Sequence, residues 1–145
     1  MDFLTAMKIS GSALKAERTR INIASMNLAN ANTTRTIEGG PYRAKSVVFG
    51  ATPLAVGGFQ QALDSVDDQL RQVEVVKVVE DTAPFKEIYD PSHPDADANG
   101  IVKMPNVNTA EQMVDLMSAR RDFDANVAAM DSIKAMALRS LEISK

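Results

Sequence analysis

The sequence predicts a mainly α-helical protein with a small β region. Long amphipathic helices at the N and C termini pair as a coiled coil, and a short antiparallel β segment lies between them. Three observations carry this prediction. Near the N terminus, Met7, Leu14, Ile21 and Leu28 place one apolar residue at every seventh position, with Leu4, Gly11, Ala24 and Ser25 beside them. Near the C terminus a second stripe runs through Met113, Leu116, Phe123, Val127, Met130, Ile133, Ala137 and Leu141. Between the stripes, Val73-Glu74-Val75-Val76-Lys77-Val78-Val79-Glu80 is rich in β-branched residues, which suit a pleated strand. Helical stripes of this length pack on each other or on copies of the same helices in neighbouring subunits. The expected division is an N-terminal assembly helix over 1–34, a central β and loop region over 35–107, and a C-terminal assembly helix over 108–145.

The first helix is expected from residue 3 to about 30. Ser10-Gly11-Ser12 softens it, since Gly costs about 1 kcal/mol relative to Ala inside a helix, and the small residue marks a tight crossing. The pattern dissolves in Asn27-Leu28-Ala29-Asn30-Ala31-Asn32-Thr33-Thr34, where Asn and Thr favour turns and caps, and Gly39-Gly40-Pro41 closes the helical region. Strands are expected within Arg43–Phe49, over Val73–Glu80 and over Lys86–Tyr89, with Ile101-Val102-Lys103 strand-like. Residues 50 to 72, with Gly57-Gly58, read as a mobile loop or weak insertion. Two or three short strands form a small sheet that stands only by packing on a helix. Asn108 followed by Glu111 resembles a capping box, and Pro105 stops any earlier helical run. Nothing breaks the helix from Thr109 to Ile143. At 1.5 Å per residue the two helices span about 40 Å and about 50 Å.

Composition narrows the function. A chain of 145 residues supports one modest core. A net charge of −3, with Lys and Arg scattered among acids, disfavours nucleic acid as a partner, because phosphate binding needs clustered cations. The absence of cysteine removes disulfides and thiolate metal sites. Met1-Asp2-Phe3-Leu4 lacks the basic region and apolar run of a cleaved signal, and no run of 18 apolar residues exists to span a membrane. The eight methionines suit helix seams that accept slightly different neighbours.

Candidate chemistry is sparse. Asp95-Ala96-Asp97-Ala98-Asn99-Gly100 matches the opening of an EF-hand calcium loop. Its twelfth position, however, is Asn106 where a bidentate Glu is needed, and Pro91 and Pro94 deny it an entering helix. A calcium-dependent binding module built on the 95–106 loop is the alternative function. His93, the single histidine, reads as a loop residue held by local hydrogen bonds, and no zinc site follows from it. No serine sits in a nucleophile elbow, Asp67 and Asp68 read as solvated charge, and Gly39-Gly40 and Gly57-Gly58 lack a phosphate loop's spacing and lysine. No enzyme, cofactor or metal is expected. The stripes themselves are the candidate site. Exposed apolar lines of this length invite aggregation unless a partner covers them. The expected assembly interface is Met7, Leu14, Ile21, Leu28, Met113, Leu116, Phe123, Val127, Met130 and Leu141.

Asn27-Leu28-Ala29-Asn30-Ala31-Asn32-Thr33, after an N-terminal amphipathic helix, resembles the signature of bacterial flagellar rod and hook proteins. Gly40-Pro41-Tyr42-Arg43, Pro91-Ser92-His93-Pro94-Asp95-Ala96 and Gly100-Ile101-Val102-Lys103-Met104-Pro105-Asn106-Val107-Asn108 are similar to segments of the rod proteins of that family. So are Glu111-Gln112-Met113-Val114-Asp115 and Arg120-Arg121-Asp122-Phe123-Asp124-Ala125-Asn126-Val127. Ile101 and Phe123 stand where tyrosine is common in the family. The resemblance implies a structural subunit of the proximal rod of the flagellar basal body, self-associating in a helical assembly and transmitting torque. Its implied partners are other rod subunits, the adaptor protein at the rod base and the type III export apparatus. It implies export without signal cleavage into a periplasm-spanning rod, and a turn in place of the calcium-like loop.

Overall fold

Each terminal stripe forms one unbroken helix. In a computed structural model, which describes residues 3–54 and 70–143, helix α1 covers Phe3–Ala29 and helix α2 covers Thr109–Ile143. Between them lie strands β1 (Lys45–Pro53), β2 (Arg71–Glu80), β3 (Lys86–Tyr89) and β4 (Ile101–Met104). Of the described residues, the charged Asp115 aside, those of α2 that escape full exposure are Gln112, Leu116, Ala119, Phe123, Asn126, Met130, Ile133 and Ala137. Their spacing alternates four and three, the repeat of a coiled-coil seam. Helix α1 is covered on more sides, with Ala16, Ala24 and Asn27 deepest.

The strands form two separate two-stranded sheets, β1–β2 and β3–β4, in place of the single small sheet expected. In the second, antiparallel sheet, Lys86 faces Met104, Ile88 faces Val102 and Tyr89 faces Ile101. The strand expected to finish at Phe49 continues to Pro53. Its extension passes through Gly50, where a Cβ would lie 2.5 Å from Val76 Cγ2. The ends of the 50–72 segment are therefore strand rather than loop, because glycine lets β1 run close to the β-branched side chain opposite. Gly57-Gly58, Asp67 and Asp68 lie outside the described residues.

Two compact units can be distinguished: a first of Met1–Thr19, Val48–Lys77 and Ala119–Lys145, and a second of Arg20–Val47 and Val78–Ser118. The first buries Ala16, Leu54 and Ala119. Here the Ser12 hydroxyl donates to the Ile9 carbonyl at 2.7 Å and accepts from the Val73 amide at 3.2 Å, tying α1 to β2. The tight crossing expected at Gly11 is not one that requires glycine. A Cβ there would meet the Met130 methyl at 3.9 Å, an ordinary contact. The second unit buries Ala24, Tyr42, Ala44, Val102 and Val107, with Asn27 and Pro105 among its fully enclosed side chains.

Candidate assembly site

Below α1 the chain unwinds by a sequence of asparagine bonds. The Asn30 amide and its side-chain Nδ2 both donate to the Met26 carbonyl, and the Thr33 hydroxyl donates to Asn30 Oδ1. The next turn is equally tied. The Thr36 amide donates to the Gly40 carbonyl at 2.8 Å, the Gly39 amide returns to Thr36, and both glycines take a left-handed φ. This turn leaves Ile37 fully exposed beside a hollow of about 680 Å³. The hollow's charged lining is mixed in sign: Arg35, Arg43 and Lys45 against Glu38 and Glu80. Lys45 pairs with Glu80 at 3.6 Å, and Arg43 is held by the carbonyls of Asp81 and Ala83 and stacks 4.3 Å above Phe85.

Asn27 occupies the centre of the second unit and is 1% exposed. Its Nδ2 donates to the Lys45 carbonyl at 2.7 Å and to Gln112 Oε1 at 2.8 Å. Its Oδ1 accepts from the Lys45 amide and from the Tyr42 hydroxyl, each at 2.9 Å. Both hydrogens and both lone pairs of the amide are thus used, which is what an enclosed polar group requires. One side chain joins α1, the start of β1 and α2. Burial pushes the Tyr42 phenol above its ordinary pKa, and the Glu80 carboxylate adds to the effect. Asn106 makes a second clamp: its Oδ1 accepts from the Ala44 amide at 2.8 Å, and its Nδ2 donates to the carbonyls of Asp81 and Ala83. Arg20 is ion-paired to Asp115 in the same unit.

The calcium-like loop is a hydrogen-bonded turn. Asp97 Oδ1 accepts from the Ile101 and Asn99 amides, which hold that carboxyl below the usual carboxylate range. The Asp90 carboxyl is lowered in the same way, first by the Ser92 hydroxyl and then by the Ser92 amide. Asp95 accepts from the Thr34 hydroxyl at 2.7 Å. His93 Nδ1 accepts from the Asp95 amide at 3.1 Å, the local role expected of it. Gly100 closes the turn at a φ of 76°, with Pro91 and Tyr89 each 3.0 Å from where a Cβ would stand. Among the described residues no three His, Asp or Glu side chains are grouped as a metal site. Asn106, the residue that breaks the EF-hand pattern, is engaged with Ala44, just before β1, and with the chain after β2 instead.

The ten residues of the expected interface fall into two sets. Leu14, Ile21, Leu28, Leu116, Phe123 and Met130 are half-buried, the last three on the four-and-three line of α2. Met7, Met113, Val127 and Leu141 are exposed. Val114, Met117, Met136 and Leu138, which the stripe omitted, are exposed as well and widen the uncovered apolar surface of α2. The Asn27, Gln112 and Asn106 clamps were not expected from the sequence. The available signal was an amide side chain at a buried helical position, Asn27 following Arg20 and Ala24 at the four-and-three spacing of a seam.

Both ends of the chain match known families. Residues 7–35 match the family described as flagella basal body rod protein, and residues 98–143 match the one described as flagellar basal body rod FlgEFG protein C-terminal. Over its whole length the chain is 42% identical to the flagellar basal-body rod protein FlgC of Salmonella typhimurium, with 100% of each chain covered. It is 39% identical to that of Bacillus subtilis, over 97% of each chain. It is 38% identical to that of Borreliella burgdorferi, over 99% of this chain and 98% of the relative.

Proposed function

The chain belongs to the flagellar basal-body rod protein family, and we propose that it joins its own copies and other rod proteins in the proximal rod through α1 and α2. It is a structural subunit of the rod and has its place in the flagellar basal body. The observation that carries the interface is the surplus of apolar surface on the two helices that the family matches span. Leu4 and Leu141 are each 66% exposed, Val114 62% and Met117 60%. Assembly covers this surface, and its burial offsets the cost of ordering the outermost turns, about 1–2 kcal/mol per residue of backbone. Torque then passes through many packed helices, with no single strong contact required.

The same reading assigns no catalytic role. It places the rod-base adaptor and the type III export apparatus among the partners. Among the described residues no helix is long and apolar enough to cross a membrane. The test is incorporation of variants into isolated rods. Leu14→Asp and Val127→Asp should each abolish it while leaving the amide spectrum of the β3–β4 sheet unchanged. Normal incorporation of both variants would falsify the stripe assignment.

A further inference from the structure

The seam line of α2 repeats every seven residues, and small or soft side chains such as Ala24, Leu116 and Ala119 fill much of the buried surface of the helices. A four-and-three repeat matches itself after each heptad, so shape alone tells one register of α1 against α2 poorly from the next. In the second unit two polar pairs cross from helix to helix. Asn27 donates to Gln112 at 2.8 Å, and Arg20 is bonded to Asp115. Moving from Asn27 back to Arg20 on α1 corresponds to moving forward from Gln112 to Asp115 on α2, the sense of an antiparallel pair. A slip separates both pairs at once, and one that carries Leu116 or Ala119 to the place of Gln112 leaves the enclosed Asn27 amide facing an apolar side chain, an outcome that buried polar groups disfavour strongly.

We infer that Gln112 and Asp115, acting on Asn27 and Arg20, are positioning residues that lock the register of α1 against α2. The lock works in the free chain, before any partner arrives. Its consequence rests on the assembly role proposed above. Slipping by one heptad moves the exposed Met113, Val114 and Met117 by about 10 Å along the helix, and slipping by one turn moves them about 5 Å. Subunits stacked on a regular lattice cannot accommodate either displacement. Asn27 keeps its bonds to Lys45 and Tyr42 when Gln112 is replaced, so anchoring to β1 and registering against α2 are separable in a variant.

The chain has no cysteine, so spin labels can be placed at will. Ser25→Cys and Ser118→Cys put one on each helix at exposed positions of the second unit, and pulsed dipolar spectroscopy then reads the distance between them in the full-length, unassembled protein. A single narrow distance is expected with the native pairs in place. Adding Gln112→Leu and Asp115→Leu should produce a second population displaced by about 5–10 Å, corresponding to one turn or one heptad. An unchanged single distance in that variant, with helical circular dichroism retained, overturns the lock. If the variant loses its helical signal, a charge exchange decides. Asp115→Arg should broaden the distance distribution, and Arg20→Asp added to it should restore the narrow one. A narrow distribution in Asp115→Arg, or no restoration, also overturns the proposal. These distances do not depend on rod incorporation, so normal incorporation of the stripe variants would defeat the assembly reading and leave the register result standing.

Discussion

Asn27 shows how much one side chain can organise. Truncation in Asn27→Ala removes four hydrogen bonds and strands the Tyr42 hydroxyl, the Gln112 amide and both Lys45 backbone groups. With unsatisfied buried partners costing about 1–3 kcal/mol apiece, the loss should reach about 3 kcal/mol or more, measured as a lowered midpoint in urea unfolding. Tyr42 supplies a pH test. Its phenol is raised in the fold, so the protonated form is favoured there. The resulting stability is complete below the unfolded pKa of about 10 and is lost as pH rises through the higher folded value. In a Tyr89→Phe variant, where Tyr42 is the one tyrosine, phenolate absorbance should appear above the ordinary tyrosine midpoint, with unfolding following it. A midpoint at or below the ordinary value would show that the Tyr42 hydroxyl is not enclosed as described.

At the scale of elements, two glycines that look alike in the sequence have opposite roles. Gly11 lies inside α1 with room for a Cβ, so Gly11→Ala should raise the thermal midpoint, in line with a gain of about 0.5–1 kcal/mol in helix propensity. Gly100 combines a left-handed φ with 3.0 Å approaches to Pro91 and Tyr89. Gly100→Ala should therefore destabilise the β3–β4 turn by more than about 1 kcal/mol, seen as faster amide exchange at Ile101 and Val102. The helix limits were legible because periodicity, caps and breakers agree: Pro105 and Asn108 mark the start of α2, and the Asn108 carbonyl accepts the Gln112 amide there at 3.0 Å. The first strand was less legible at its end, because Gly50 reads as a terminator. Only the position of Val76 reveals that the glycine is what permits the strand to continue.

For the whole molecule, the division of labour follows the polar network. The second unit holds the Asn27 and Asn106 clamps, whereas Leu4, Met7, Met136, Leu138 and Leu141 expose apolar surface near the chain ends. Amide exchange of the isolated chain should accordingly be slow at Ala24, Ala44 and Val107 and fast in the outermost turns of α1 and α2, slowing there on assembly. Equal protection throughout the isolated chain would mean that the helices need no partner to be ordered. Calcium should leave the amides of 95–106 in place, since the Asp97 and Asp95 carboxylates already serve the turn and Thr34. Calcium-dependent shifts there would reopen the binding-module reading.

By itself, the sequence determined the two long helices, the β character between them and the membership of a rod family, because periodicity and local motifs are properties of neighbours along the chain. It also showed that apolar lines were present in excess of any core so short a chain could build. Which residues of those lines turn inward was decided only by tertiary structure: Leu116, Phe123 and Met130 are half-buried, and Met113, Val127 and Leu141 are left in solvent. The roles of Asn27, Asn106 and Gln112 were likewise invisible, since an amide's function depends on partners distant in sequence. Asn27 meets Gln112 across 85 positions, and Asn106 meets Ala44 across 62. Such partners are set by how helix and strand meet, and no local pattern of residues encodes that meeting.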